Sequence, residues 1–237
     1  MPLPTISVPK YKLKIPSSGK MITYRPYLVK EEKILLTALE TDGSEEALFD
    51  ALLTLITACV ETKGFSVNDI AMFDLEYIFT QLRAKSVGEV VNMNIKCQND
   101  ECGISFPWEV DISELKVNRT KGHDNKIQLS DQLGVVMKYP SVDNAKAIES
   151  SGKTEELFSL IASCIDSIYT QDEVFSYKDH SFEEIETFIE QLSPEFFLKI
   201  TNFLDTMPNM NNEIKCTCPK CKEETTLSIQ GIEDFFI

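Results

Sequence analysis

The sequence predicts an α+β fold, predominantly helical, made of two related repeats that each run hairpin, helices, cysteine turn and strand. Three observations carry this expectation. Residues 12–26 (KLKIPSSGKMITYRP) and 126–140 (KIQLSDQLGVVMKYP) have one length and one plan. The strings LFDALLTLITACV (48–60) and LFSLIASCIDSIY (157–169) align. Ile95-Lys96-Cys97 returns 119 residues later as Ile214-Lys215-Cys216.

In chain order, each opening segment reads as a β-hairpin. A short alternating run (Leu13, Ile15; Ile127, Leu129) meets a turn with Ser and Gly, then a second run (Met21, Ile22; Val135, Val136) stopped by proline. Helices follow. Residues 45–60 place Leu48, Leu52, Leu55, Ile56 and Cys59 at helical spacing, and residues 154–169 do the same with Leu157, Ile161, Cys164, Ile165 and Ile168. Further helices are expected over 74–84 and 193–205, the latter with Ser193 as N-cap and Pro194 at N1. Each half closes with cysteines and a strand, so the expected divisions are 1–118 and 119–237, or one compact unit joined through the cysteines.

The cysteines are the clearest chemical signal. Cys97-x4-Cys102-Gly103 and Cys218-Pro219-Lys220-Cys221 each set two thiols on a tight turn, half of a tetrahedral zinc shell. The preferred site is Cys97, Cys102, Cys218 and Cys221 around one structural zinc in a shared zinc-ribbon-like β region. Cys216 substitutes for Cys218 if the strand register differs by two. Spare thiols, disulfides and a redox pair at Cys218 and Cys221 compete with this reading, but the last prefers a strand-to-helix setting that the flanking strand-like runs do not supply. Cys59 and Cys164 lie on apolar helical faces and read as core.

Composition narrows the function. The net charge is −15 and both halves are acidic, so the molecule's field repels a polyanion and nucleic acid is not an expected partner. A lysine strip at Lys10, Lys12, Lys14 and Lys20 reads as the solvated face of the first hairpin. No run approaches the ~20 apolar residues of a membrane span, and the amino terminus lacks the apolar core of a secretory signal, which suits reduced cysteines in a cytosolic setting. His123 and His180 fall in polar segments and read as surface residues, and there is no Walker loop, GxGxxG, HExxH or nucleophile elbow. The chain is therefore not expected to be an enzyme. Trp108 is expected to cover the metal or pack on a helix, and the apolar end with Phe235 and Phe236 to dock on its own core or on a partner.

The stretch FDLEYIFTQLRAKSVGE (73–89), the opening KLKIPSSGKMITYRPYLVKEEKILL (12–36) and the ending CPKC followed by a short strand and GIEDFF together resemble the small baseplate hub protein family of T-even type contractile-tailed bacteriophages. The resemblance covers nearly the full length. It implies a structural or assembly component of the tail baseplate hub, acting in the host cytoplasm during assembly and located in the virion tail if retained. The implied partners are other hub or tail proteins. The alternative role is a transient chaperone holding another tail protein, such as the long tape-measure protein. Tyr24, Arg25 and Tyr27, with Tyr77, Arg83 and Lys85 on the helix that follows, have the large polar and aromatic character of an interface.

Overall fold

The computed structural model describes residues 7–41, 43–144 and 153–229. It contains 40% helix and 27% strand with several antiparallel sheets, which corrects the expectation of a predominantly helical chain. The chain forms two compact units. Among the described residues, the first comprises 7–67, 73–118 and 210–229, and the second 68–72 and 119–209.

In the first unit, β1 (Tyr11–Lys14) pairs antiparallel with β2 (Met21–Tyr24), Leu13 opposite Ile22. Gly19 closes the connecting turn at φ 68°, a left-handed conformation that favours glycine. The helices α1 (Val29–Thr41) and α2 (Glu45–Cys59) follow, α2 starting where the Ser44 hydroxyl accepts from the Ala47 N–H. Leu52, Leu55, Ile56 and Cys59 bury one stripe of α2 completely. The next helix, α3 (Met72–Ser86), buries Leu75, Ile78, Phe79 and Leu82 at i, i+3, i+4, i+7, and also Asp74, Thr80 and Gln81, so it is enclosed on more than one side. Buried Asp74 accepts from the Ser17 backbone N–H at 2.9 Å and from the Ser17 hydroxyl, tying α3 to the first hairpin. Two more antiparallel hairpins complete the unit: β3 (Val90–Lys96) with β4 (Ser105–Asp111), and β9 (Asn212–Thr217) with β10 (Glu224–Ile229).

The second unit holds one antiparallel sheet in the order β5 (Lys126–Gln128), β6 (Leu133–Met137), β7 (Ile165–Thr170), β8 (Val174–Ser176). Its helices are α4 (Lys153–Cys164), α5 (Phe182–Glu190) and α6 (Pro194–Asp205). Their core combines Val135 and Met137 from the sheet with Ile161, Ile165, Ile189, Ile200 and Phe203. The expected helix over 154–169 ends at Cys164. From Ile165 the chain is a strand, because Ile165, Ile168, Tyr169 and Thr170 are β-branched or aromatic and find pleated partners in β6, with Ile168 opposite Val135. The Tyr169 ring lies over Gly134, where a Cβ would meet its phenol end. Ser181 and Glu184 form a reciprocal capping box at the start of α5.

Candidate metal centre

Two turns on different hairpins bring four sulfurs together. The first lies between β3 and β4. The Cys97 N–H donates to the Ile104 carbonyl at 2.8 Å, the Cys102 and Gly103 N–H groups donate to the Asn99 carbonyl at 3.0 and 2.9 Å, and the Asn99 side-chain oxygen accepts from the Glu101 N–H at 2.8 Å. Asparagine two residues after the first cysteine thus builds the turn through its own side chain. Between β9 and β10 the second turn repeats the plan: the Cys218 N–H donates to the Glu223 carbonyl at 2.9 Å, and the Lys222 N–H to the Cys218 carbonyl at 3.0 Å. The residue after the second cysteine is left-handed in both turns, Gly103 at φ 53° and Lys222 at φ 66°.

The Sγ atoms of Cys97, Cys102, Cys218 and Cys221 all lie within 4.8 Å of one another. The Cys97–Cys221 separation is 3.6 Å and the Cys102–Cys218 separation 3.9 Å. A tetrahedron of thiolates with bonds of about 2.3 Å to zinc has edges of about 3.8 Å. The donor set and its spacing therefore fit a metal ion. Cys216 is not part of it: the residue sits within β9 opposite Thr225, fully buried, with its thiol toward the Ile214 carbonyl.

Electrostatics within the cluster are strongly uneven. Burial acts to raise the Cys218 thiol, but the backbone N–H groups of Cys221 and Lys220 and the neighbouring thiols outweigh it and hold it down to about 6. At Cys221 the Glu223 N–H lowers the thiol, but burial and the sulfurs of Cys218, Cys97 and Cys102 push it up to about 12. Thiols this close cannot all become thiolates without a cation among them. Cys59 and Cys164 are different: burial pushes each up to about 11, as befits inert core thiols.

Contacts between the two hairpins reinforce the sulfur cluster. The Gln98 side chain donates to the Thr226 carbonyl at 3.1 Å and accepts from the Thr226 N–H at 3.3 Å, while the Asn99 amide donates to Glu223 at 2.7 Å. Thr225, only 2% exposed, directs its hydroxyl to Cys97 Sγ at 4.0 Å. An apolar shell of Ile95, Phe106, Ile214, Leu227 and Trp108 encloses the cysteines, Trp108 meeting Phe106 edge-on. Sequence reasoning placed Trp108 near the metal or on a helix but missed Gln98, Asn99, Glu223 and Thr225. Only Asn99, at an Asx position inside a cysteine turn, left a readable signal.

The residues expected at a partner interface fall as follows. Tyr24 is 3% exposed and packs on Tyr11, its phenol pushed up to about 12 mainly by burial. Arg25 is committed to Glu31 at 2.8 Å and to the Pro26 and Ala58 carbonyls. Tyr27 and Tyr77 are half-buried, and burial raises both phenols. Arg83 and Lys85 occupy the last turn of α3, half-buried, with Lys85 paired to Glu89 and over the Tyr11 ring. Phe235 and Phe236 lie outside the described residues. Of the histidines, His180 faces Glu184 at 3.5 Å, whereas His123 departs from the surface expectation. Its ring stacks on both Tyr139 and Phe203 and bonds to Thr206 Oγ1 and Tyr139 Oη, and burial lowers its pKa.

Among the described residues no helix is long and apolar enough to cross a membrane. Neither the curated proteins nor the solved structures give a match to this chain. A family model does, that of the "T4 bacteriophage base plate protein", and it matches residues 8–237. With the match spanning nearly the whole sequence, the cysteine turns of both hairpins included, the chain belongs to the T4 bacteriophage base plate protein family.

Proposed function

We propose that this base plate protein is a component of the central hub of the tail baseplate, working through protein–protein contacts, with one structural zinc ion held by Cys97, Cys102, Cys218 and Cys221. The family supports the coarser statement, a structural protein of the virion tail in contact with other tail proteins. The hub assignment is supported by the resemblance carried by residues 12–36 and 73–89 and by the CPKC ending. The observation that carries the zinc reading is the four-sulfur centre, which links hairpins far apart in sequence and is lined by apolar side chains. An all-cysteine tetrahedron with no open position is the structural kind of zinc site, not the catalytic kind. No enzymatic role is proposed.

The halves 1–118 and 119–237 are proposed to descend from one plan. Each opens on a hairpin and ends on a cysteine hairpin with helices between, the second half adding the strands β7 and β8, and the cysteines of the two closing hairpins come together. Replacing both cysteines of either turn with serine is expected to abolish metal binding, and Cys216→Ser to leave it intact; a full equivalent of zinc retained in either double variant would overturn the shared site.

The hub reading is tested by quantitative mass spectrometry of purified particles against lysate of infected cells. Peptides of this chain in fixed ratio to other baseplate proteins are expected in the particle. Their abundance in lysate and absence from particles would replace the subunit reading with that of an assembly chaperone.

A further inference from the structure

We propose that a groove on the second unit, between α4, α5 and α6, is a docking site for a basic amphipathic helix of a partner protein. The groove has a volume of about 770 Å³. Its apolar floor comes from Phe158, Ile189, Leu192 and Phe197, with the Phe158 and Phe197 rings stacked at 5.2 Å across α4 and α6. These side chains belong to the unit's own core, so the floor is preformed.

Charge identifies the occupant. Three carboxylates, Glu155, Glu186 and Glu190, line the groove, and no lysine or arginine does so among the described residues. Glu186 is held in place by the Ser159 hydroxyl, which donates to it at 2.9 Å. An apolar floor edged by carboxylates is complementary to a helix with an apolar stripe at i, i+3, i+4 and i+7 flanked by Lys or Arg. The net charge of −15 adds long-range attraction for such a segment. The chain's own end, GIEDFFI, brings Glu233 and Asp234 beside its apolar residues, and the carboxylate edge disfavours it. This inference rests on the reading that the protein works through protein contacts and names the chemistry of one partner.

The test is fluorescence anisotropy of the full chain with a labelled Leu/Lys peptide of roughly four helical turns, its leucines at helical spacing. Saturable binding is expected. Glu186→Gln with Glu190→Gln is expected to weaken it about tenfold, or by about 1.4 kcal/mol. Phe158→Ala is expected to weaken it further, with circular dichroism establishing that the variant is folded. Asp172→Asn with Glu173→Gln removes the same charge from exposed positions of the same unit and is expected to leave binding unchanged. Equal weakening by both double variants would reduce the effect to bulk charge and overturn the site. So would equal affinity for a Leu/Glu peptide. Self-association of the chain that Glu186→Gln with Glu190→Gln abolishes would assign the groove to a second copy instead. Failure of the peptide to bind leaves the particle measurement untouched, so the docking site and the hub assignment fail separately.

Discussion

Lys222 adopts φ 66°, where a side chain crowds the following carbonyl, yet the turn needs that conformation to return the chain toward β10. At the equivalent place the first turn has Gly103. Lys222→Val, β-branched and worse suited still, is expected to destabilise the first unit by about 1–2 kcal/mol, and a urea titration with a chelator competition should show weaker folding and weaker metal retention together. Elsewhere in the unit, burial acts to raise the Glu31 carboxyl, but bonds from Arg25, the Leu28 N–H and Lys30 outweigh it and hold it at about 2. The folded value lies below the unfolded one near 4.5, so this stabilisation is complete above pH 4.5 and is lost as pH falls through about 2. Glu31→Gln leaves Arg25 largely buried without its partner charge and is expected to cost about 3 kcal/mol at neutral pH, a penalty that shrinks in unfolding measurements at acid pH. That Cys97, Cys102, Cys218 and Cys221 come together was legible because cysteine turns have a spacing grammar. Thr225 and Gln98 were not, since their role depends on which strands come together.

Among the elements, α3 is unusual in burying polar groups on several sides, and Glu76 on this helix has its pKa raised to about 7 by burial. Here the sign is opposite to that at Glu31. The folded state holds the proton more tightly than the unfolded one, so the contribution is present below 4.5 and is lost as pH rises through about 7. Glu76→Gln is expected to flatten this dependence and to stabilise the protein more at about pH 8 than at about pH 5, as measured by urea midpoints. The positions of α2 and α3 were readable because Leu52, Leu55 and Ile56, and then Leu75, Ile78 and Leu82, keep the 3.6-residue period, whereas α1 (Val29–Thr41) had not been assigned a position. The failure at Ile165 has a local cause. Ile161, Cys164, Ile165 and Ile168 fit a helical stripe, but Ile165 and Ile168 are as well placed in a strand bent by the register shift at Val136 and Met137, and pairing with β6 decides between them.

For the molecule as a whole, the chain leaves the first unit after residue 118 and returns at 210. The Lys116 N–H donates to the Asn212 side chain at 3.4 Å, and the Asn212 amide donates to the Lys116 carbonyl at 3.2 Å, so the outgoing and returning segments are bonded to each other. Periodicity along a sequence has no means of showing this crossing, and for that reason the compact units are not coextensive with the expected divisions 1–118 and 119–237. An unfolded chain has no preformed four-cysteine site, so an ion at the proposed centre would stabilise the first unit through its own binding free energy. Removing it with a chelator is expected to lower the first unit's unfolding midpoint, read by thermal denaturation, and to leave the transition of the second unit where it was.

The distance along the chain between the two cysteine turns also sets an order in time. Cys102 and Cys218 are 116 residues apart. At a synthesis rate of about 5–20 residues per second, the amino-terminal pair waits roughly 6–23 seconds for the carboxyl-terminal pair to emerge. A chain released early has only one of the two cysteine pairs, so under the proposed zinc site an ion held by all four sulfurs would mark a protein that has been translated at least through Cys221.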